Sequence, residues 1–258
     1  MPATALRYFN EDIARARAIV THADPLPTGT PVEQLLRSDL LRSAWMFAVG
    51  AMDAYYCDAY TDVVAAAIIA KSRQAAITLP VFLYEIKFPI GAILEPYPNN
   101  QNWRWRMAAR NMMKRENVLN LKTIQNLFNK FFRTNHRFFH GLLASWIIHP
   151  DATKRVFGIT RAAYLALPPA DQNRAVGDAL DQMQERYGII FQRRHDCIHN
   201  CDRPKTSPLA LKLSGTVLNV IQDVEFLVRR SNEHINTEYR EFLVGIGCNT
   251  TTIVQAGY

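Results

Sequence analysis

Residues 193–203 hold the densest group of reactive side chains in the sequence, with arginines, histidines, aspartates and cysteines interleaved. An apolar run at 187–191 comes just before this group, and Pro204 and Pro208 come just after it. The prolines limit how far a helix through the group can continue. Reactive side chains beside an apolar segment are typical of a functional site, and three interpretations are open.

Metal binding is the first interpretation. His195 and His199 stand four positions apart, so they share one face of a helix. The string is close to the H-E-x-x-H of zinc hydrolases, but the shorter Asp196 replaces the glutamate and reaches a metal-bound water poorly. A third ligand would have to come from a later helix, at Asp223 or Glu225. The pattern does not favour a metal, and we expect neither a metal nor a cofactor.

Metal-independent cleavage of RNA is the second interpretation. Histidine changes its charge near neutral pH, so His199 is suited to take the proton of a ribose 2′-hydroxyl or to return one to the leaving oxygen. Arg194 would supply a permanent, planar charge for the phosphate as negative charge builds. Because RNA carries its own nucleophile, this chemistry needs only residues that are present.

A structural role is the third interpretation. Arg193 and Arg194 would then lie on a solvated helix face, and His199 would pack against Ile198. For an isolated histidine or arginine pair we would prefer this interpretation. The concentration of polar groups within an apolar neighbourhood argues against it here.

A family resemblance favours the second interpretation. Arg194, a polar residue, three variable residues and then His199 follow one another in an order that resembles the signature of HEPN ribonucleases. A second window agrees: residues 38–45 and 48–55 are similar to the opening helix of the RiboL-PSP-HEPN group, in which an aspartate, here Asp53, follows small apolar residues. The likeness covers the layout of roughly residues 35–235, but the residues themselves match only in these two windows.

The resemblance implies an all-α, HEPN-like helical bundle with helical insertions, assembled as a homodimer whose two motifs face each other. It implies RNA as the partner and catalysis by Arg194, His199 and His195, with Asp53 orienting either Arg194 or His199. It further implies that Arg193 and Asn200 bind RNA. By family analogy the chain acts in prokaryotic defence or as a toxin, with an antitoxin or another defence-system protein as a further partner. The alternative function is a catalytically silent HEPN module that binds RNA or a protein.

Composition agrees with a single domain over residues 1–258. The apolar fraction of 48% and the charged fraction of 21% are typical of a globular protein with a substantial core. A formal charge of +7 favours a polyanionic partner. The sequence shows no signal peptide, its apolar runs are too short to span a bilayer, and its four scattered cysteines do not form a disulfide framework. We therefore expect a cytoplasmic protein without membrane contact.

Local patterns predict helices at 3–22, from Thr30 to about 60 and at 61–87, followed by a loop at 91–100. Thr30 is expected to cap the second of these helices, with Pro31 at its first position and Glu33 at its third. Thr160 is expected to cap a short helix ending near Leu167. A longer helix is expected from 169 into the motif, and the last long helix from Ser207, with a loose tail or a short strand after Phe242. The core helices then lie at about 30–60 and 169–232, and an insertion occupies about 60–160.

Basic residues concentrate in the window 104–137, which holds nine of them against the single acid Glu116. The rest of the chain therefore has a net charge of −1, since +7 minus +8 is −1. Interleaved tryptophans and phenylalanines favour an RNA-facing surface, although a helical spacing also suits many of these rings to the core. The predicted RNA-binding residues of this window are Arg104, Arg106, Arg110, Lys114 and Arg115.

Overall fold

A computed structural model describes residues 2–88, 90–94, 103–113, 118–200 and 213–258. Over these ranges the chain is all-α and contains no strand, which confirms the predicted fold class. The elements are α1 (Pro2–Ala23), α2 (Pro31–Arg73), α3 (Val81–Tyr84), α4 (Ile90–Leu94), α5 (Trp103–Met113), α6 (Leu121–Phe128), one turn of 3₁₀ helix (Thr134–His136), α7 (Leu143–Ile147), α8 (Lys154–Phe157), α9 (Arg161–Leu165), α10 (Pro169–Asn200), α11 (Ser214–Gly245) and α12 (Thr250–Gln255).

Helix α2 is the central element and is 43 residues long. It begins with the predicted cap, in which Thr30 and Glu33 satisfy each other's backbone N–H groups as a capping box. The separate helix predicted at 61–87 is wrong, because α2 continues without interruption to Arg73. No glycine or proline stands between Gly50 and Pro80 to end it earlier.

Helix α1 packs antiparallel along the first half of α2. Near one end of the pair, Arg37 of α2 donates to Asp24 just after α1, with 3.0 Å between the atoms. Near the other end, the rings of Phe9 and Tyr55 meet edge to face with centroids 5.9 Å apart. The helix predicted at 3–22 is therefore confirmed, and it covers one side of α2.

Helix α11 runs parallel to α2 over most of its length. Tyr55 donates to Asn232 at 3.2 Å, and Tyr239 donates to the carbonyl of Val63 at 2.6 Å. The two contacts join positions that are 177 and 176 residues apart in sequence. Because this separation is nearly constant, the two helices run in the same direction. Tyr55, Val63 and Tyr239 are all buried, so this pairing is part of the core.

Helix α10 is held against both α2 and α11, and it continues unbroken through Gly188 into the motif. Trp45 of α2 donates its indole N–H to the carbonyl of Ile190 at 3.1 Å. Tyr187 donates its hydroxyl to the carbonyl of Asp223 at 2.6 Å. Both contacts lie just before the reactive residues, so the core fixes the helix that carries them.

The short helices between α5 and α10 cover the other side of the core. The interleaved phenylalanines are buried there, which confirms the core interpretation for Phe128, Phe131, Phe132, Phe138 and Phe139. These five rings are not available for base stacking. Thr160 caps α9 through its side chain, as predicted.

Three local predictions are wrong. Helix α11 begins at Ser214 rather than extending back through Leu213, whose backbone is extended and whose side chain is 67% exposed. The tail after Phe242 is neither loose nor a strand, because α11 continues to Gly245 and α12 follows with Asn249 as its cap. The first four residues of the expected loop at 91–100 belong to α4, and the rest of it lies outside the described residues.

In the described part of the chain, no helix has the length and apolar character that crossing a bilayer requires.

Candidate active site

The last two turns of α10 carry the reactive residues. His195 and His199 are both exposed, and their rings lie against each other with centroids 4.3 Å apart and planes 40° apart. The shared helix face predicted from their spacing is therefore confirmed. Two imidazoles in contact can each accept or donate a proton, and each can also restrict the orientation of the other.

Arg194 lies on a different side of α10 from His199. Five positions separate them, which on an α-helix amounts to about 140° of rotation and roughly 7.5 Å of rise. His195 lies between the two in angle, about 100° from Arg194 and about 40° from His199. Within one copy of the chain, the cation and the second histidine therefore face partly different surroundings.

Arg194 and His195 line a groove of about 570 Å³ between the start of α6 and the second half of α10. Its other polar lining residues are Asn120, Lys122, Gln125, Gln184 and Gln192. Leu119, Leu121, Gly188 and Phe191 complete the lining. The groove thus combines positive charge, neutral amides and an aromatic ring beside the reactive residues.

Asp53 of α2 lies within electrostatic range of Arg194. It is half-buried, and its carboxylate accepts a hydrogen bond from the backbone N–H of Val118 at 3.3 Å. Burial raises the pKa of Asp53, while the positive charge of Arg194 and the bond from Val118 act in the opposite direction. The structure therefore brings Asp53 within electrostatic range of Arg194, and an orienting role stays a prediction.

A second groove, of about 510 Å³, lies on the adjoining face of α10 and shares Gly188 and Gln192 with the first. Trp45, Ile189, Arg193 and Asp196 are among its lining residues. Arg193 and Arg194, although adjacent in sequence, thus serve different grooves. Asp196 accepts a hydrogen bond from Gln192 at 2.9 Å, so its carboxylate is engaged along its own helix.

The structure contradicts the ligands suggested for the metal interpretation. Asp223 is buried and accepts hydrogen bonds from Arg155 at 3.1 Å and from Arg186 at 2.7 Å. Arg186 lies nine positions before His195 on α10, which is roughly 13 Å along the helix axis. Glu225 pairs with Arg17 of α1. Within the described ranges, no group of three histidines, cysteines, aspartates or glutamates is arranged to hold a metal ion.

The prediction that Arg106 contacts RNA is wrong. Its side chain is only 4% exposed, and its Nε donates to Asp62 of α2 at 2.6 Å. Its Nη2 lies 3.7 Å from the carboxylate of Asp58. A buried guanidinium needs such carboxylate partners because desolvation of its charge is expensive. Arg106 therefore anchors α5 to α2 and is not part of a surface.

The other predicted RNA-binding residues of this window have mixed positions. Arg104 is half-buried and stacks over the ring of Trp105, with 4.6 Å to the centroid. Arg110 has a half-exposed side chain, 3.9 Å from Asp58. Surface roles for both stay predictions. Lys114 and Arg115, together with the side chain of Asn200, lie outside the described residues.

Sequence reasoning missed most of the groove's wall. Asn120, Lys122 and Gln125 were not singled out, yet they face Arg194 across the groove. Asn120 caps α6 by accepting a hydrogen bond from the N–H of Lys122 at 2.7 Å, a pattern that is readable from sequence. Its proximity to α10 is not readable, because about seventy residues separate the two walls.

Comparisons with protein-family models, with curated proteins and with solved structures each found no match for this chain.

Proposed function

We propose that this chain is a metal-independent, HEPN-type endoribonuclease. The observation that carries the proposal is the composition of the last turns of α10: Arg194 faces a groove, and His195 and His199 are in contact beside it. Asp53 contributes a carboxylate within electrostatic range of Arg194. A permanent cation next to proton-transfer groups at an open groove suits phosphoryl transfer in RNA.

In the proposed reaction, a histidine accepts the proton of a ribose 2′-hydroxyl while the oxygen attacks the adjacent phosphorus. The bond between phosphorus and the 5′-oxygen breaks, and an acid donates a proton to the leaving oxygen. Arg194 stabilises the charge that builds on the non-bridging oxygens. The products are a 2′,3′-cyclic phosphate and a 5′-hydroxyl, and no metal or cofactor takes part.

We assign proton transfer to His199 and a positioning role to His195, whose ring restrains that of His199. Because His199 and Arg194 lie on different sides of α10, a second copy facing the first across a two-fold axis would complete the site. Such isologous pairing supplies one acid and one base from equivalent histidines. A homodimer is therefore part of the proposal.

The deciding experiment incubates the purified protein with a labelled single-stranded RNA and with DNA of the same sequence. We expect cleavage of the RNA alone, since DNA lacks the 2′-hydroxyl, and we expect a chelator to leave the rate unchanged. His199→Ala and Arg194→Ala should each lower the rate about 10²- to 10⁴-fold. His22→Ala, which changes an exposed histidine of α1, is the matched control and should retain the wild-type rate.

Two results would contradict the proposal. Loss of activity with a chelator and its return with zinc would support the metal interpretation instead. Tight RNA binding without any cleavage would support the silent module.

The biological setting is also proposed from the HEPN resemblance alone. A cytoplasmic toxin or defence nuclease should arrest growth when the chain is expressed in bacteria, and Arg194→Ala should relieve the arrest. An antitoxin partner would then be sought by its ability to restore growth. Equal toxicity of the wild type and Arg194→Ala would contradict this setting.

A further inference from the structure

The groove between α6 and α10 has features that proton transfer alone does not require. Its volume of about 570 Å³ falls within the roughly 300–1,000 Å³ of sites that enclose small ligands. Arg194 and His195 occupy only part of its lining. The remaining lining residues therefore point to a ligand that extends beyond the reacting phosphate.

Charge in the groove has one sign. Lys122 on α6 is exposed, and Arg194 lies across from it on α10. Among the described lining residues there is no aspartate or glutamate. Two cations without a lining carboxylate favour an anionic ligand that offers more than one phosphate, as a nucleic acid strand does.

Neutral polar groups make up much of the remaining lining. The side-chain amides of Asn120, Gln125, Gln184 and Gln192 carry donors and acceptors without charge. Gln125 donates to the carbonyl of Phe138 at 3.0 Å, and Gln192 donates to Asp196 at 2.9 Å, so both amides are oriented by the protein. Oriented amides are well suited to recognise the hydrogen-bonding edge of a base.

Phe191 supplies an aromatic surface in the same groove. Its side chain is half-buried, and its ring lies 6.1 Å from that of Tyr187, which is itself buried and bonded to Asp223. The ring is therefore supported from behind by the core. A base that is unpaired can stack on such a ring, whereas a base within a duplex is already stacked on its neighbours.

We propose that this groove binds one unpaired nucleotide of the RNA next to the scissile phosphate. Lys122 contacts the backbone phosphate, Phe191 stacks on the base, and the amides contact its edge. The inference rests on the proposed function for the identity of the ligand. It adds a requirement on the single-stranded RNA: the base next to the scissile phosphate must be accessible.

The test measures binding separately from cleavage. The probe is a fluorescent, single-stranded 2′-fluoro RNA, which lacks the nucleophile and cannot be cleaved by the proposed route. Lys122→Glu should weaken binding of the probe by roughly tenfold or more and reduce the salt dependence by about one phosphate contact. Lys154→Glu, an equal change of charge at an exposed residue of α8 outside the groove, is the matched control and should bind within about twofold of wild type.

The aromatic contact has its own pair of variants. Phe191→Leu keeps apolar bulk but removes the ring, and it should weaken binding by at least about fivefold. Phe47→Leu changes a ring that is exposed on α2 outside the groove, and it should have no effect. Circular dichroism of each variant checks that the fold is retained.

Competition tests the need for an unpaired base. An unlabelled duplex of the same sequence should compete with the probe for the wild-type protein at least about tenfold less well than the unlabelled single strand.

The outcomes separate this inference from the proposed function. If the wild type cleaves RNA but Lys122→Glu and Phe191→Leu bind the probe like their controls, the groove assignment is wrong and the proposed ribonuclease function is supported. If both variants lose binding but the wild type never cleaves RNA, the groove assignment is supported and the proposed ribonuclease function is wrong. Equal competition by the duplex overturns the groove assignment, and no binding by the wild type overturns both.

Discussion

Trp45 of α2 donates its indole N–H to the carbonyl of Ile190 on α10, with 3.1 Å between the two atoms. In an α-helix, the same carbonyl is the acceptor for the backbone N–H of Arg194, four residues later. A carbonyl oxygen has two lone pairs and can accept both bonds. The contact therefore fixes how α10 is turned relative to α2 at the point where Arg194 begins to face the groove.

Replacing Trp45 tests this relationship. Trp45→Phe keeps most of the buried apolar surface but removes the donor, so the free energy of unfolding should fall by about 1 kcal/mol. Activity on RNA should fall more than stability implies, because the rotation of α10 is less restrained. Urea denaturation and kcat/KM measure the two effects. Tyr84→Phe, which removes a donor from an exposed position of α3, is the control, and equal results for both variants would show that the bond to Ile190 is unimportant.

Truncation should destabilise the fold much more at Arg106 than at Arg110. Arg106→Ala leaves Asp62 and Asp58 buried without their main partner, so we expect a loss of about 3–5 kcal/mol in the free energy of unfolding. Arg110→Ala removes a half-exposed side chain 3.9 Å from Asp58 and should cost less than about 1 kcal/mol. Chemical denaturation of both variants compares them, and equal losses would contradict the anchoring role of Arg106.

This pair of arginines also shows why the basic window misled sequence reasoning. Counting charge along the chain made Arg106 a surface cation with only Glu116 to oppose it. The structure opposes it with Asp62, which lies 44 positions earlier on α2. Likewise, Arg133 pairs with Glu238 of α11 at 2.6 Å. Countercharges that arrive through tertiary packing are invisible to a local count.

Local patterns predicted what local physics determines. The cap at Thr30, the short helix after Thr160 and the common face of His195 and His199 each depend on residues within one or two turns. The groove did not follow from sequence, because Lys122 and Arg194 meet only when α6 packs beside α10. The site residues on α10 were thus predictable from sequence, but the groove wall that α6 contributes was not.

Asp62 should make stability depend on pH. Burial, opposed by the charge of Arg106, raises the pKa of Asp62 from its ordinary 3.8 to about 6. Its Oδ2 atom has no hydrogen-bond partner among the described residues, which agrees with protonation at mild acidity. Because the folded pKa is the higher one, the contribution of this group is present below about pH 4 and is lost as the pH rises through about 6.

Asp62→Asn removes this titration. Between pH 7 and pH 5, the free energy of unfolding of the wild type should rise by about 1 kcal/mol relative to that of the variant. Urea titrations of both proteins at the two pH values give the difference, and subtraction cancels the groups that they share. A difference that is the same at both pH values would contradict the raised pKa.

Asp53→Asn should separate a positioning role from a structural one. The amide oxygen of asparagine can still accept the hydrogen bond from Val118, so the fold should be retained. Burial raises the pKa of Asp53 in the folded chain, so ionised Asp53 opposes folding above that pKa. Replacement by a neutral side chain should therefore leave stability at pH 7 unchanged or slightly higher, as measured by urea denaturation.

Activity should respond differently from stability in the same variant. Asp53→Asn removes the carboxylate that lies within electrostatic range of Arg194. We therefore expect about a tenfold loss in kcat/KM, milder than the loss for Arg194→Ala. Wild-type activity should fall on the acidic side as Asp53 takes up a proton, and the variant should lack this part of the fall. An unchanged rate together with an unchanged pH profile would show that Asp53 only holds Val118. Lower stability without any change in the profile would show the same.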